Sequence, residues 1–145
     1  MMTRPQLTPV SDRAPAGPDA ALDTLARAIW AHGRDRGIRA MEALAATAVN
    51  RRYRTPGRTL ADLVQDPDLF AAWDPDDPRH AEMLAADSRD PAFAAALRVA
   101  RRAMAGVDGI VGGADHFVDD ADPLPDWASS LTPTASLAGF SFYRA

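Results

Sequence analysis

Three histidines, His32, His80 and His116, and two glutamates, Glu42 and Glu82, are the scarce side chains here that suit proton transfer or metal ligation; every other acid is Asp. A histidine with an ordinary pKa near 6.5 can act as acid or base. A pair of them at i, i+4 on one helix would point to zinc. None of the three stands at such a spacing from another, so neither a metal site nor a cofactor is expected. Glu42 is the obvious carboxyl group for acid chemistry, yet Arg39 three residues before it and Ala46 four after suit a solvated helix face. Asp35 lies between Arg34 and Arg36, and ion pairing there would lower its pKa, the wrong direction for an acid. The runs DPDDP (74–78) and DDADPLPD (119–126) lack the glycine and final glutamate of an EF-hand loop and suit Asx turns instead. The absence of Cys excludes thiol nucleophiles, disulfides and cysteine-based zinc sites.

These side chains must be positioned by a single domain. The chain has 145 residues, 47% hydrophobic and 25% charged, the size and mixture of one globular core. All 16 basic residues are Arg and the net charge is −4, so no general attraction to nucleic acid is expected. No run approaches the roughly 20 apolar residues of a membrane span, and no membrane partner is expected. Residues 1–18, MMTRPQLTPVSDRAPAGP, are Pro-rich and aperiodic and read as a flexible arm before a domain at 19–145. That stretch has no continuous apolar run of the kind a secretory signal needs, and a cytoplasmic location is the expectation.

Within 19–145, Leu22, Leu25, Ala26, Ile29 and Trp30 stripe one face of a helix that Asp19 can cap and that Gly33 and Gly37 should end. A second, Ala-rich helix is expected over about 38–52, and a short one after the cap residue Thr59. Residues 68–78 read as a loop holding Phe70 and Trp73; a short helix follows Pro78, and Asp90-Pro91 opens another helix to about 105. Beyond Gly106, two β-prone pieces, 115–118 and 140–143, flank a loop holding Trp127. The expected class is α+β, mainly α, with a small antiparallel sheet near the C-terminus.

In order, the landmarks are LARAIWAHGRDRG (25–37), MEALAATAVNRR (41–52), FAAW (70–73), GGADHFV (112–118), Trp127 and AGFSFY (138–143). This series resembles the SleB/CwlJ-type cell wall hydrolases over residues 22–143. The family's pattern is a helix written roughly LARxIxGEARGE, a helix ending in NR, an aromatic loop, a GGAxxYH-like strand and a final GxHxFY-like strand. The resemblance implies a lysozyme-related helical domain and peptidoglycan cleavage of the lytic transglycosylase type, in which the first glutamate of GEARGE protonates the leaving oxygen. Here Ala31 replaces the motif's glycine, His32 its first glutamate and Arg36 its second, while Arg34 is kept. His116 matches the first histidine of an HYH form of the strand motif, Val118 stands where the second would be, and Phe140 replaces the histidine of the terminal motif. These segments would face one cleft.

An imidazolium at position 32 would set a cation where the oxocarbenium-like centre develops, opposing what a carboxylate supplies. No catalytic residue is therefore expected, with Glu42 the fallback acid. Among the aromatics, Trp30 and Phe142 are expected in the core. Trp73, Trp127 and Tyr143, with Phe70 and Phe117, are expected to line a binding groove. The expectation is a non-catalytic binding or accessory protein whose partner is another protein, peptidoglycan fragments being a second possible ligand. The alternative is an active peptidoglycan hydrolase or a muropeptide-binding module.

Overall fold

The computed structural model describes residues 18–145; the arm expected at the N-terminus, up to residue 17, lies outside the described residues. Helix α1 (Pro18–Gly33) begins one residue before the expected cap, so Asp19 sits in its first turn, where a carboxylate favours the helix dipole. Of its expected stripe Leu25, Ala26, Ile29 and Trp30 are buried and Leu22 is half-buried. Helix α2 (Ile38–Tyr53) is buried almost all round from Ala40 to Val49, which its run of alanines permits by letting α1 and α5 (Pro91–Ala105) approach from different sides. At the α1–α2 junction, a Cβ on Gly33 would meet the Met41 and Leu44 side chains at 3.0 and 3.1 Å. The buried hydroxyls of Thr24 and Thr47 donate back to the carbonyls of Ala20 and Ala43 and leave no unpaired group.

Helix α3 (Leu60–Val64) is capped by Thr59, which accepts from the Asp62 N–H, and α5 by Asp90, which accepts from the Ala92 N–H. The other Asp90 oxygen accepts from the Trp30 indole at 3.1 Å, so the cap of α5 also anchors α1. Helix α4 (His80–Ala85) is held at its C-terminal end by Arg27, which donates to the carbonyls of Met83, Leu84 and Ala86.

Strands β1 (His116–Asp119), β2 (Ala135–Leu137) and β3 (Phe140–Tyr143) form an antiparallel sheet in the order β1-β3-β2. The chain is thus mainly helical with a small antiparallel sheet near its C-terminus, as the sequence indicates. Strand β2, three residues long, has no pattern of its own. It forms because Ala138 and Gly139, both at positive φ, close a two-residue hairpin onto β3. Register places Phe117 opposite Phe142 and Asp119 opposite Phe140, so these four side chains share the face turned to the helices. His116, Val118, Ser141 and Tyr143 share the other face. The sheet is tied to α2 by Asn50, whose amide donates to the Ala114 carbonyl at 2.9 Å, and by an Arg54–Asp115 ion pair at 3.1 Å.

Candidate functional site

His32 ends α1 facing the inner side of the sheet. Its ring lies 5.5 Å from that of Phe70 and 6.0 Å from that of Phe117, and Phe117 in turn meets Phe70 at 5.4 Å and Phe140 at 5.7 Å. Two N–H groups converge on the imidazole. The Ala72 N–H points at Nε2 from 3.2 Å, and Nη1 of Arg79 stands 3.0 Å from Nδ1. A neutral imidazole has one acceptor nitrogen, so one of the two donors meets an N–H instead of a lone pair. The site offers what a carboxylate, with two accepting oxygens, would satisfy.

Both donors are fixed from behind. Arg79 is gripped by Asp77 through a fork, Nε to Oδ1 and Nη2 to Oδ2, both at 2.9 Å. Ala72 belongs to a single 3₁₀ turn, Ala71–Trp73, and its carbonyl accepts from Nδ1 of His80 at 2.8 Å. Burial, reinforced by the Arg79 charge and only partly offset by Asp77 and Asp119, pushes the His32 pKa down to about 3. His32 is therefore neutral at neutral pH, and the N–H that its ring keeps is far too weak an acid to protonate a departing oxygen. The hydrogen bonds from Arg79 hold Asp77 down to about 2, so this carboxylate is also no acid. Sequence reasoning missed Arg79 and Asp77; they lie in a loop with no periodic signal, and only the chain fold brings them to His32.

Arg36 fills the space beside them. Its guanidinium stacks 4.3 Å from the centroid of Phe140, pairs with Asp119 at 2.7 Å and donates to the carbonyls of Ala138 and Gly139 at 3.3 and 3.0 Å. A Cβ at 139 would lie 2.7 Å from Arg36 Nη1 at a φ of +82°, so the guanidinium would have to shift to admit a side chain. Burial disfavours the Asp119 carboxylate, but the Ala121 N–H and Arg36 outweigh it and the pKa is lowered. Two cations and two anions, Arg36, Arg79, Asp77 and Asp119, thus close on one another around His32. Arg34 stacks over Trp30 at 3.7 Å and pairs with Glu82 at 2.8 Å, linking α1 to α4.

His32, Arg36, Phe70, Phe117 and Phe140 are brought together, while His116 and Val118 are not. Strand alternation turns those two onto the outer face, correcting the expectation that all the substituted motif positions face one cleft. There His116 Nδ1 lies 2.8 Å from Asp115, and its ring lies 5.0 Å from Trp127. Burial disfavours ionised Asp115, yet the bonds from the Ala145 N–H, His116 and Arg54 outweigh it and lower its pKa. Glu42 is remote in role: it pairs with Arg39 and Arg102 and lines a groove between α2 and the end of α5 with Val99, Gly106 and Ile110.

The aromatic expectations also divide. Trp30 and Phe142 are core. Phe70 and Tyr143, expected in a groove, are buried, because Phe70 packs under His32 and Tyr143 packs against Val118 and Ala128. Trp73 and Phe117 are half-buried, and the Trp73 indole N–H is enclosed with no partner among the described residues. Trp127, 41% exposed, is the one that is open to solvent. Among the described residues no group of three or more His, Cys, Asp or Glu could hold a metal ion, and no helix is long and apolar enough to cross a membrane. Comparison with protein-family models, with curated proteins and with solved structures gives no match to this chain.

Proposed function

We propose that this chain is a SleB/CwlJ-like cell wall hydrolase domain that no longer cleaves glycosidic bonds and works as a binding or accessory protein in the cytoplasm. The observation that carries this reading is the state of position 32. Where the motif it resembles has its acid, there is an imidazole held neutral between Ala72 N–H and Arg79, with a pKa of about 3. Protonation of a leaving oxygen needs a group that still carries its proton near the working pH. The carboxylates nearest to it in charge, Asp77 and Asp119, are both locked to arginines.

The cage would accommodate a carboxylate at position 32, because two donors aimed at one side chain match two accepting oxygens better than one ring nitrogen. Arg36, stacked on Phe140 and paired with Asp119, occupies the adjoining space. Incubation of the intact chain with peptidoglycan sacculi is expected to release no anhydro-muropeptides. Product that disappears in His32→Ala or Glu42→Ala would establish the rival reading, an active lytic transglycosylase. Fractionation of native cells tests the compartment.

A further inference from the structure

Charge is unevenly placed along this chain. Between Arg102 and Arg144 there are six aspartates and no Arg or Lys, whereas the rest carries all 16 arginines against fourteen acids. Asp115 and Asp119 are committed to Arg54 and Arg36. Asp120 and Asp126 are exposed and form no ion pair among the described residues; Asp120 only accepts from the Ser141 hydroxyl at 2.7 Å, on the outer face of the sheet. Over that face runs the segment 124–131, held by burial of Ala128 against Val118 and Tyr143. It leaves three large apolar side chains in water, Leu124 at 55%, Trp127 at 41% and Leu131 at 37% exposed.

Trp127 is not loose there. Its ring stands edge-on to Tyr143 at 5.5 Å and 86° and against His116 at 5.0 Å. An aromatic fixed before binding loses little freedom on contact, which is how anchor residues of interfaces behave. We propose that this outer face, with Trp127 as anchor and Asp120 and Asp126 as its charged rim, docks a basic amphipathic segment of a partner protein. The aliphatic stem of an Arg or Lys would lie along the indole with its charged head at the aspartates, while apolar residues of the segment cover Leu124 and Leu131. Nucleic acid and anionic lipid are repelled by the same charges. The inference rests on the binding reading above and names the chemistry of the partner.

Selection of peptides from a random display library on the intact chain tests it. Enriched peptides are expected to combine Arg or Lys with Leu or aromatic residues and to weaken with rising salt. The affinity of a selected peptide should fall at least about tenfold in Trp127→Ala and about threefold in each of Asp120→Asn and Asp126→Asn. Enrichment of neutral or acidic peptides, no enrichment, or unchanged affinity in the double aspartate variant would overturn the proposal. The two aspartates lie outside the core, so that variant remains informative even if Trp127→Ala loosens the fold by circular dichroism. Light scattering of the chain alone identifies a second copy as occupant if its mass rises with concentration and Trp127→Ala abolishes the rise; that result also overturns it. Sacculus digestion run in parallel keeps the readings separate, since cleavage products would sink the non-catalytic reading without altering the peptide result.

Discussion

Arg79 stands 3.0 Å from Nδ1 of His32 while the Ala72 N–H addresses the other nitrogen of the same ring. Burial and the Arg79 cation therefore keep the imidazole neutral. Protonating it would set its two N–H groups against the two facing donors in a half-buried site and leave the Arg79 charge facing another.

The stability of the fold should depend on pH through His32. The folded-state pKa of His32, about 3, lies below the value of 6.5 it has when unfolded. Between these values the unfolded chain binds the extra proton, so this contribution to stability is fully present above about pH 6.5 and is lost as pH falls toward 3. The folding constant should drop by up to about tenfold per pH unit within that window. Asp77, lowered by its bonds from Arg79, adds a loss of the same sign only below its ordinary range near 3.8. Denaturant melts across pH 4–7 should show this slope, with a smaller one in His32→Gln, and carbon-detected NMR should find the His32 ring neutral at pH 5. A His32 ring titrating near 6.5 would refute the cage.

Replacement of His32 by glutamate should be tolerated. A carboxylate can accept from both Ala72 and Arg79, so His32→Glu should fold and melt no lower than the natural chain. It should still release no anhydro-muropeptides, because Arg79 would keep the new carboxyl group ionised and Arg36 would still occupy the adjoining space. Cleavage by His32→Glu alone would show a cleft otherwise intact.

Arg36 should behave as a plug. Arg36→Ala removes an ion pair with Asp119, two bonds to the hairpin carbonyls and the stack on Phe140, and should cost about 1–3 kcal/mol. Gly139→Ala should be destabilising both through its φ of +82° and through the 2.7 Å approach to Arg36. In a double-mutant cycle the steric part should vanish once Arg36 is gone, leaving the backbone strain. Additive effects in urea melts would mean that the guanidinium yields freely and is no plug.

Much of the helical scaffold was legible because local rules and burial agree there. The 3- and 4-residue apolar spacing of α1, the Thr59 and Asp90 caps, and Pro91 at the start of α5 each express short-range stereochemistry that tertiary contacts reinforce. Strand β2 was not legible, since Ala135–Leu137 pairs only because the Ala138–Gly139 turn returns the chain onto Phe140 and Phe142. Likewise, the burial of Phe70 and Tyr143 depends on neighbours distant in sequence, His32 and Phe117 for one and Val118 and Ala128 for the other.

By itself the sequence determined the helices and the two longer strands, the scarcity of carboxyl groups with the reach of glutamate, and the presence of His32, Arg36 and Phe140. Those are statements about residue type and local spacing, which the chain carries wherever it folds. Only the tertiary structure decided what His32 is. Its neutrality comes first from burial against Phe70 and Phe117 and then from the charge of Arg79, 47 residues away, and an electrostatic environment assembled from separate segments leaves no trace in local pattern. The same holds for His116. The pleat of β1 turned it from Phe117 and His32 to Trp127, because adjacent residues of a strand face opposite sides.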